Sequence, residues 1–327
     1  VTGRPATIND VAAAAGVSRQ TVTRAVNDMP GISTETRARV LAAARELRYR
    51  PSRFGRGLVK PQTSTLGLLI EDLSNPYYAE LASAVLGLAA DAGWNVIFGE
   101  RAHAAHAEEF LIDDFSRQVD AVISFTGIAV ATSRDGLPDL PLVEIDPLTS
   151  SAGHGRVELL RKEAVADAVR HLAERGTKHP VVFDHPDPSP RAAEFIQAFA
   201  AQGVPAARIP SVGSGLEGGL LTAQAVLREK PDTDAIVAYN DVMGFGVLRA
   251  LALAGVDVPG RIRVIGVDGL EIGHFITPRL TTLAIDMHVV AQTALDLLLR
   301  MHTGDLPTGG RPTRRTVPYR FEIGEST

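Results

Sequence analysis

Gln20, Thr23, Arg24 and Asn27 stand at offsets 0, 3, 4 and 7, with Arg19 just ahead of them. In an α-helix that spacing shares one face. Every member of the set can hydrogen-bond to a base edge or a phosphate. The forked guanidinium of Arg matches O6 and N7 of guanine, and the Gln amide matches N6 and N7 of adenine. A helix that reads duplex DNA needs such a stripe, because only one of its faces enters the major groove. Most helices also carry a polar face that merely meets water, so the stripe is weighed together with its surroundings.

A second set of polar residues lies at or just beyond apolar runs that read as strands. Asp72 and Asn75 follow 65–70, Asp146 ends 140–146, Arg191 follows 180–185, Asn240 and Asp241 fall at the end of 235–240, and Asp268 ends 263–268. Tyr77, Tyr78 and Phe125 are the aromatic side chains nearest to them in sequence. In α/β proteins ligands sit at the carboxyl ends of parallel strands, so these positions are candidates for an effector site. Carboxylates and a guanidinium suit the vicinal hydroxyls of a sugar, and an aromatic face stacks on a sugar or a base. Asp and Asn at strand ends also cap helices, which is an equal alternative for Asp146, Asn240 and Asp241.

Other motifs carry less. GSGLEG (213–218) fits G-x-G-x-x-G but follows a proline-containing segment without a clear strand-turn-helix setting, so no dinucleotide site is expected. His103, His106 and Glu109 share a helical face without a second cluster to complete a metal site. Trp94 reads as packing at the start of a strand. No nucleophile–base pair or paired carboxylates have supporting context, so neither catalysis nor a cofactor is expected.

The elements that position the DNA-type stripe are short helices. Thr7 precedes apolar residues at Ile8, Val11, Ala12 and Ala15, and Asp10 completes a capping box. Gly16 breaks this helix, and Ser18 caps a second one over 19–26, with Val22, Ala25 and Val26 inward. Ser33 opens a third, with Val40, Ala44 and Leu47 inward. Two helices across a tight glycine turn form a helix-turn-helix. Residues 51–63 hold two prolines and two glycines and read as a linker. From residue 65, strand-like runs at 65–70, 94–99, 120–125, 140–146, 180–185, 235–240 and 263–268 alternate with helical stretches at 77–92, 104–117, 162–175, 190–202, 217–229 and 241–254. This βαβ rhythm predicts doubly wound parallel sheets in two lobes.

Composition bounds the rest. The 327 residues are 45% hydrophobic and 22% charged, which excludes disordered and collagen-like classes. No cysteine is present, so disulfides, thiolate metal sites and a cysteine nucleophile are excluded. With no membrane-length apolar run and no secretory-type start, a soluble cytoplasmic protein without membrane contact is expected. Residues 1–61 carry eleven basic side chains against four acidic ones, a net +7 that leaves −12 on the rest of a chain totalling −5. A basic head on an acidic body points to a polyanionic partner for the head.

TINDVAAAAGVSRQTVTRAVN (7–27) with ISTETRARVLAAARELRYRPS (32–52) resembles the head of the LacI/GalR family of bacterial transcription regulators. The likeness continues through LGLLIEDLSNPYYAEL (66–81), FDH (183–185), AYNDVMGFGVLRAL (238–251), VIGVDGL (264–270) and TPRLTTL (277–283). It implies a helix-turn-helix domain over 1–51, a hinge segment over 52–62 and an effector-binding and dimerisation domain over 63–327. Its lobes would span about 63–156 with 287–317, and about 157–286 with 318–327. The resemblance further implies that Arg19, Gln20 and Arg24 read bases and that Thr7, Ser18, Thr21, Asn27 and Tyr49 hold the backbone. Residues 52–59 would fold as a hinge helix on operator DNA, in a homodimer, with Leu58 wedged into the minor groove. Gly55 and Gly57 replace the usual Ala and Ser there and make that folding more costly. The implied effector is a sugar or sugar derivative, with a nucleobase next, held by Tyr77, Tyr78, Arg191 and Asp268. Three departures bear on it: Glu194 replaces a Gly, Ser214 a pocket aromatic, and Leu159–Leu160 an Asp–Asn pair. A sugar-binding protein or a sugar- or nucleoside-acting enzyme of the same two-lobed fold is the alternative.

Overall fold

The computed structural model describes residues 7–26, 29–47, 63–100, 118–125, 140–147, 154–185, 188–308 and 310–327. Asn27, Tyr49, Leu58, the segment 52–62, the helix expected over 104–117 and the His103, His106, Glu109 group lie outside the described residues. The chain forms two compact units, Val1–Thr63 and Ser64–Thr327.

The first unit packs α1 (Ile8–Ala15), α2 (Arg19–Val26) and α3 (Thr34–Glu46) around small side chains, among them Val11, Ala15, Val22, Ala25 and Val40. Thr7 and Asp10 form the expected capping box. Gly16 ends α1 in the left-handed region at φ 62°, which costs glycine nothing. Leu47, expected inward, is the C-cap of α3 and 37% exposed; Ala43 is buried in its stead. Alanines give a thin core, and side chain-to-backbone bonds add to it. Arg39 Nε donates to the Ala15 carbonyl at 3.1 Å, and Arg37 Nη2 to that of Met29 at 2.7 Å.

The second unit is two α/β lobes. The first is built on β1 (Thr65–Ile70), β2 (Asn95–Glu100), β3 (Ala121–Phe125), β4 (Leu142–Ile145) and β5 (Gly155–Leu160), with α4 (Pro76–Asp91) between β1 and β2. The second holds α5 (Lys162–Glu174), β6 (Pro180–Asp184), α6 (Pro190–Ala201), β7 (Ala207–Pro210), α7 (Leu216–Glu229), β8 (Ala235–Val237), α8 (Asp241–Leu253), β9 (Arg263–Asp268) and β10 (Thr281–Ala284). The chain then returns to the first lobe as α9 (Met287–His302) and β11 (Arg314–Pro318), and ends in the second as β12 (Arg320–Glu322). Strand orders are β11-β5-β4-β3-β1-β2 and β12-β10-β9-β8-β6-β7. All described pairings are parallel except β12 with β10. β1 is buried along its whole length, as a parallel strand covered on both faces must be. Asn75 and Ser189 cap α4 and α6, each followed by a proline at the first helical turn. Among the described residues no helix is long and apolar enough to cross a membrane.

The chain crosses between lobes at Arg161, at Ile285–Asp286 and at Tyr319. The first crossing falls later than 156–157, because β5 pairs with β11 from Arg156 through Leu160 and belongs wholly to the first sheet. The Tyr319 N–H donates to the Leu160 carbonyl at 2.9 Å, which ties the first and last crossings together.

The glycines of α7 and α8 let these helices meet backbone to backbone. A Cβ at Gly219 would lie 2.1 Å from the Met243 carbonyl oxygen, and one at Gly246 2.0 Å from that of Leu216. Gly218 likewise abuts the Gly213 carbonyl, so part of the GSGLEG run is explained by packing, although β7 does precede it as a strand. Gly246→Ala is expected to cost about 3 kcal/mol through overpacking. In a body of this size that lowers the melting temperature by about 6–12 °C; a melt within ~2 °C of the parent would show that the helices simply slide apart.

Candidate functional site

On α2 the packing decides which face is free. Val22 and Ala25 are buried, Arg19 and Gln20 are exposed, and Thr21, Thr23 and Arg24 are half-buried. Ser18 Oγ accepts the Thr21 N–H at 3.2 Å and bonds its hydroxyl at 2.9 Å. Thr23 Oγ1 donates to the Arg19 carbonyl at 3.1 Å, and Thr7 Oγ1 to Asp10 Oδ2 at 2.7 Å. Thr7 and Ser18 therefore set the helix starts, while Arg19 and Gln20 stand clear of the packed face. The Arg24 guanidinium lies over Gly31, where a Cβ would sit 2.9 Å from Nη1.

In the body both lobes have the strand order 2-1-3-4-5 plus one edge strand. Strand order therefore reverses between β1 and β3, and again between β6 and β8, which opens a crevice at the carboxyl ends of the strands. Arg191 enters this region from the first turn of α6. Its Nη1 donates to the Tyr239 carbonyl at 2.6 Å and lies 3.9 Å from Asp268 Oδ1, with the guanidinium 4.6 Å from the Tyr239 ring centroid. Asp268 ends β9 at φ 127° and is 4% exposed. Burial pushes its carboxyl well up, Arg191 pulls it back, and Asp241 adds like-charge repulsion. Asp146 follows β4 at φ 48° and accepts from Arg161 Nη1 at 2.9 Å. Tyr77, Tyr78 and Phe125 pack edge to face at 5.2–5.3 Å and are themselves buried. The Tyr78 hydroxyl donates to Glu71 Oε2 at 2.9 Å.

Other predicted residues serve local structure. Asp72 Oδ1 accepts the Ser74 N–H at 2.8 Å, and Asn75 Oδ1 caps α4. Asn240 caps α8 through Oδ1 and donates Nδ2 to the Ser214 carbonyl at 3.1 Å. Asp241 is 1% exposed; Oδ2 accepts the Gly269 and Leu270 N–H groups, both at 2.8 Å, and Oδ1 the Thr282 hydroxyl at 2.6 Å. It braces the turn that follows Asp268. Asp184, unread in the sequence as a site residue, is fully buried at the end of β6 and accepts from Ser189, Arg208 and the His185 N–H. Burial opposes its charge, but those hydrogen bonds win and hold its pKa below the usual carboxylate value.

Two further side chains join the site from the crossings. Arg161 reaches Asp146 and also stands 3.4 Å from Glu194 Oε2 on α6. Tyr319 is 4% exposed, with the Arg161 guanidinium 5.9 Å from its ring centroid. Burial first, then Asp268, push its phenol up to about 12. Asp268, Arg191, Arg161 and Asp146 all act on the Tyr319 phenol, and Arg191 and Arg161 both act on Asp268, which marks them as one cluster. Neither Arg161 nor Tyr319 stands out in the sequence until β5 and β11 are recognised as strands, since each directly follows one.

The brace has a pH signature. Burial raises the Asp241 pKa from 3.8 to about 6 against the pull of its hydrogen bonds. The folded body then binds more protons than the unfolded chain between those values, so stability falls as pH rises through them. The loss is on the order of 3 kcal/mol. Melts from pH 4 to 7 should show a steeper decline in the parent than in Asp241→Asn, where the raised Asp268 carboxyl still contributes; parallel curves would contradict this.

Comparison with known proteins agrees with this geometry. Residues 7–52 match the family model described as bacterial regulatory proteins, lacI family, and residues 169–327 that of a periplasmic binding protein-like domain. The regulator GalR of Salmonella typhimurium is 31% identical over 316 residues, covering 93% of this chain and 91% of that one. Catabolite control protein A of Priestia megaterium is 28% identical, covering 98% and 99%. A LacI family transcriptional regulator from Arthrobacter sp. FB24, solved in complex with lactose, superposes with a TM-score of 0.76 at 31% identity, covering 81% of this chain and 99% of that one. With a helix-turn-helix head, a two-lobed parallel α/β body and these relatives across its length, the chain belongs to the LacI family of bacterial DNA-binding transcriptional regulators.

Proposed function

We propose that the protein is a repressor that binds a pseudo-palindromic operator as a homodimer and that a sugar or sugar derivative, held between the lobes, sets its occupancy. The observation that carries this reading is the meeting of Arg191, Asp268, Asp146 and Arg161, drawn from both lobes and a crossing, beside aromatic side chains. Such a set suits ring hydroxyls, and it bears on both lobes at once. A ligand that binds one lobe arrangement better than the other shifts the equilibrium between them. Through the first lobe this alters the separation of the two hinge segments in a dimer and so the free energy of their paired folding on DNA. Arg19, Gln20 and Arg24 read the bases, and Leu58 is the wedge at the operator centre. The protein binds its effector without converting it.

The test is selection of a preferred duplex from a random pool, followed by gel shifts with and without lactose, galactose, glucose and ribose. A retained preference over random competitor, altered by at least one sugar, is the expected outcome. Loss of all duplex preference would refute the reading, and turnover of the sugar would move the protein to the enzyme class.

A further inference from the structure

Three buried polar atoms beside the cleft make no hydrogen bond within the described protein: Arg161 Nε, Glu194 Oε2 and Tyr319 Oη. Arg161 Nε and Glu194 Oε2 are 3.4 Å apart, close enough to attract but not aligned as a hydrogen bond. Leaving such groups unsatisfied costs free energy, so their chemistry describes what should meet them. Nε–H offers a donor, the carboxylate oxygen an acceptor, and the phenol either. A ligand hydroxyl that donates to Glu194 and accepts from Arg161, with a neighbouring hydroxyl on Tyr319, satisfies all three.

Charge narrows the ligand further. Arg161 already faces Asp146 and Glu194, and Arg191 faces Asp268 and the Tyr239 carbonyl. Glu80 adds a carboxylate on the first-lobe side, where its Oε1 accepts the Glu271 N–H at 3.3 Å across the lobes. Among the described residues of the cleft carboxylates outnumber guanidiniums, and Arg161 and Arg191 are both already faced by carboxylates, so an anionic ligand would meet repulsion in a poorly screened site. We propose that Arg161, Glu194 and Tyr319 form a hydroxyl-binding subsite on the crossings between the lobes, and that it selects a neutral polyhydroxylated ring over its carboxylated or phosphorylated counterpart. This rests on the sugar reading above and makes it specific. Because Arg161 and Tyr319 belong to crossing segments, ligand contact here acts directly on the chain segments that join the lobes.

The full chain is tested by thermal shift and calorimetry against galactose, glucose and ribose, each beside its carboxylate and phosphate forms. At least one neutral ring should bind, with its charged counterparts weaker by about tenfold or more. Tighter binding of a carboxylate or phosphate would overturn the subsite while leaving the sugar reading in place; failure of every compound would overturn both. For the neutral ligand, Tyr319→Phe and Glu194→Gln should each raise Kd about tenfold or more. Glu194→Gln should also narrow the preference for neutral over carboxylated rings, which a purely structural role would not do. Melts of the unliganded variants verify folding, and Kd values within about twofold of the parent in both variants would place the ring elsewhere.

Discussion

Arg24→Ala is expected to cut discrimination between the selected operator and random duplex sharply, leaving salt-sensitive binding and the weaker readout of Arg19 and Gln20. A bidentate Arg–guanine pair is worth about 1–3 kcal/mol of discrimination at each base pair. The homodimer proposed above, on a two-fold site, would lose it twice, so about 2–6 kcal/mol, or roughly 30-fold to more than 10⁴-fold, is at stake. Phosphate contacts by the other basic side chains of the head remain, and their binding falls steeply with added salt whatever the sequence. The position has a structural sensitivity as well. The guanidinium lies where a side chain at residue 31 would have to be, and Gly31 itself has φ 95°, so Gly31→Ala should disturb the same readout. Competition gel shifts at two salt concentrations decide the matter. Undiminished preference in Arg24→Ala would move base reading to another face of α2.

Arg191→Ala should abolish the effector response. The substitution removes the donor to the Tyr239 carbonyl and the cation beside Asp268, and it leaves a 4% exposed carboxyl at a left-handed backbone position without its partner. Truncating one member of a buried ion pair costs about 3–5 kcal/mol, which exceeds a hundredfold in affinity if it falls on the liganded state. Arg191→Lys keeps the charge but loses the planar fork and the stacking on Tyr239, so a large part of the loss should persist. Calorimetry with whichever sugar shifts the parent is the measurement, with a melt of the unliganded variant as the check on folding. A normal response would place the effector away from the Arg191–Asp268 pair.

The sequence shows the long, wholly apolar strands because a parallel strand covered on both faces has no polar position to confuse its pattern; TLGLLI is the simplest case. It hides β5, whose GRVELL carries Arg156 and Glu158, yet Arg156 is only 5% exposed in the sheet. The strands β7, β10, β11 and β12 are three to five residues long and take their identity from their neighbours' register. The helix Met287–His302 has a regular apolar face at Met287, Val290, Ala291, Ala294, Leu295 and Leu298, a pattern that could have identified it. The site follows the same division. The rule that ligand groups follow strand ends brings Arg191, Asp268 and Asp146 to one place, but it selects Asp72, Asn75 and Asn240 equally, and their side chains complete local turns and caps. Arg161 and Tyr319 depend on knowing where the chain passes between lobes, which is a property of the assembled sheets.

Those passages also govern how the molecule is made. The first lobe lacks its last helix and edge strand until residue 318 has been synthesised, and the second lacks its edge strand until 322. Ser326 then bonds both Val264 and Thr281 inside the second lobe. At about 5–20 residues per second, the ribosome takes on the order of tens of seconds to emit the body. Through that interval the nascent chain exposes the unpaired edges of β5 and β10, while the contiguous head already has every described helix it needs. A holding chaperone should therefore engage the body during translation and leave the head alone, and a stalled ribosome paused before residue 287 should display a folded head on an unfinished body.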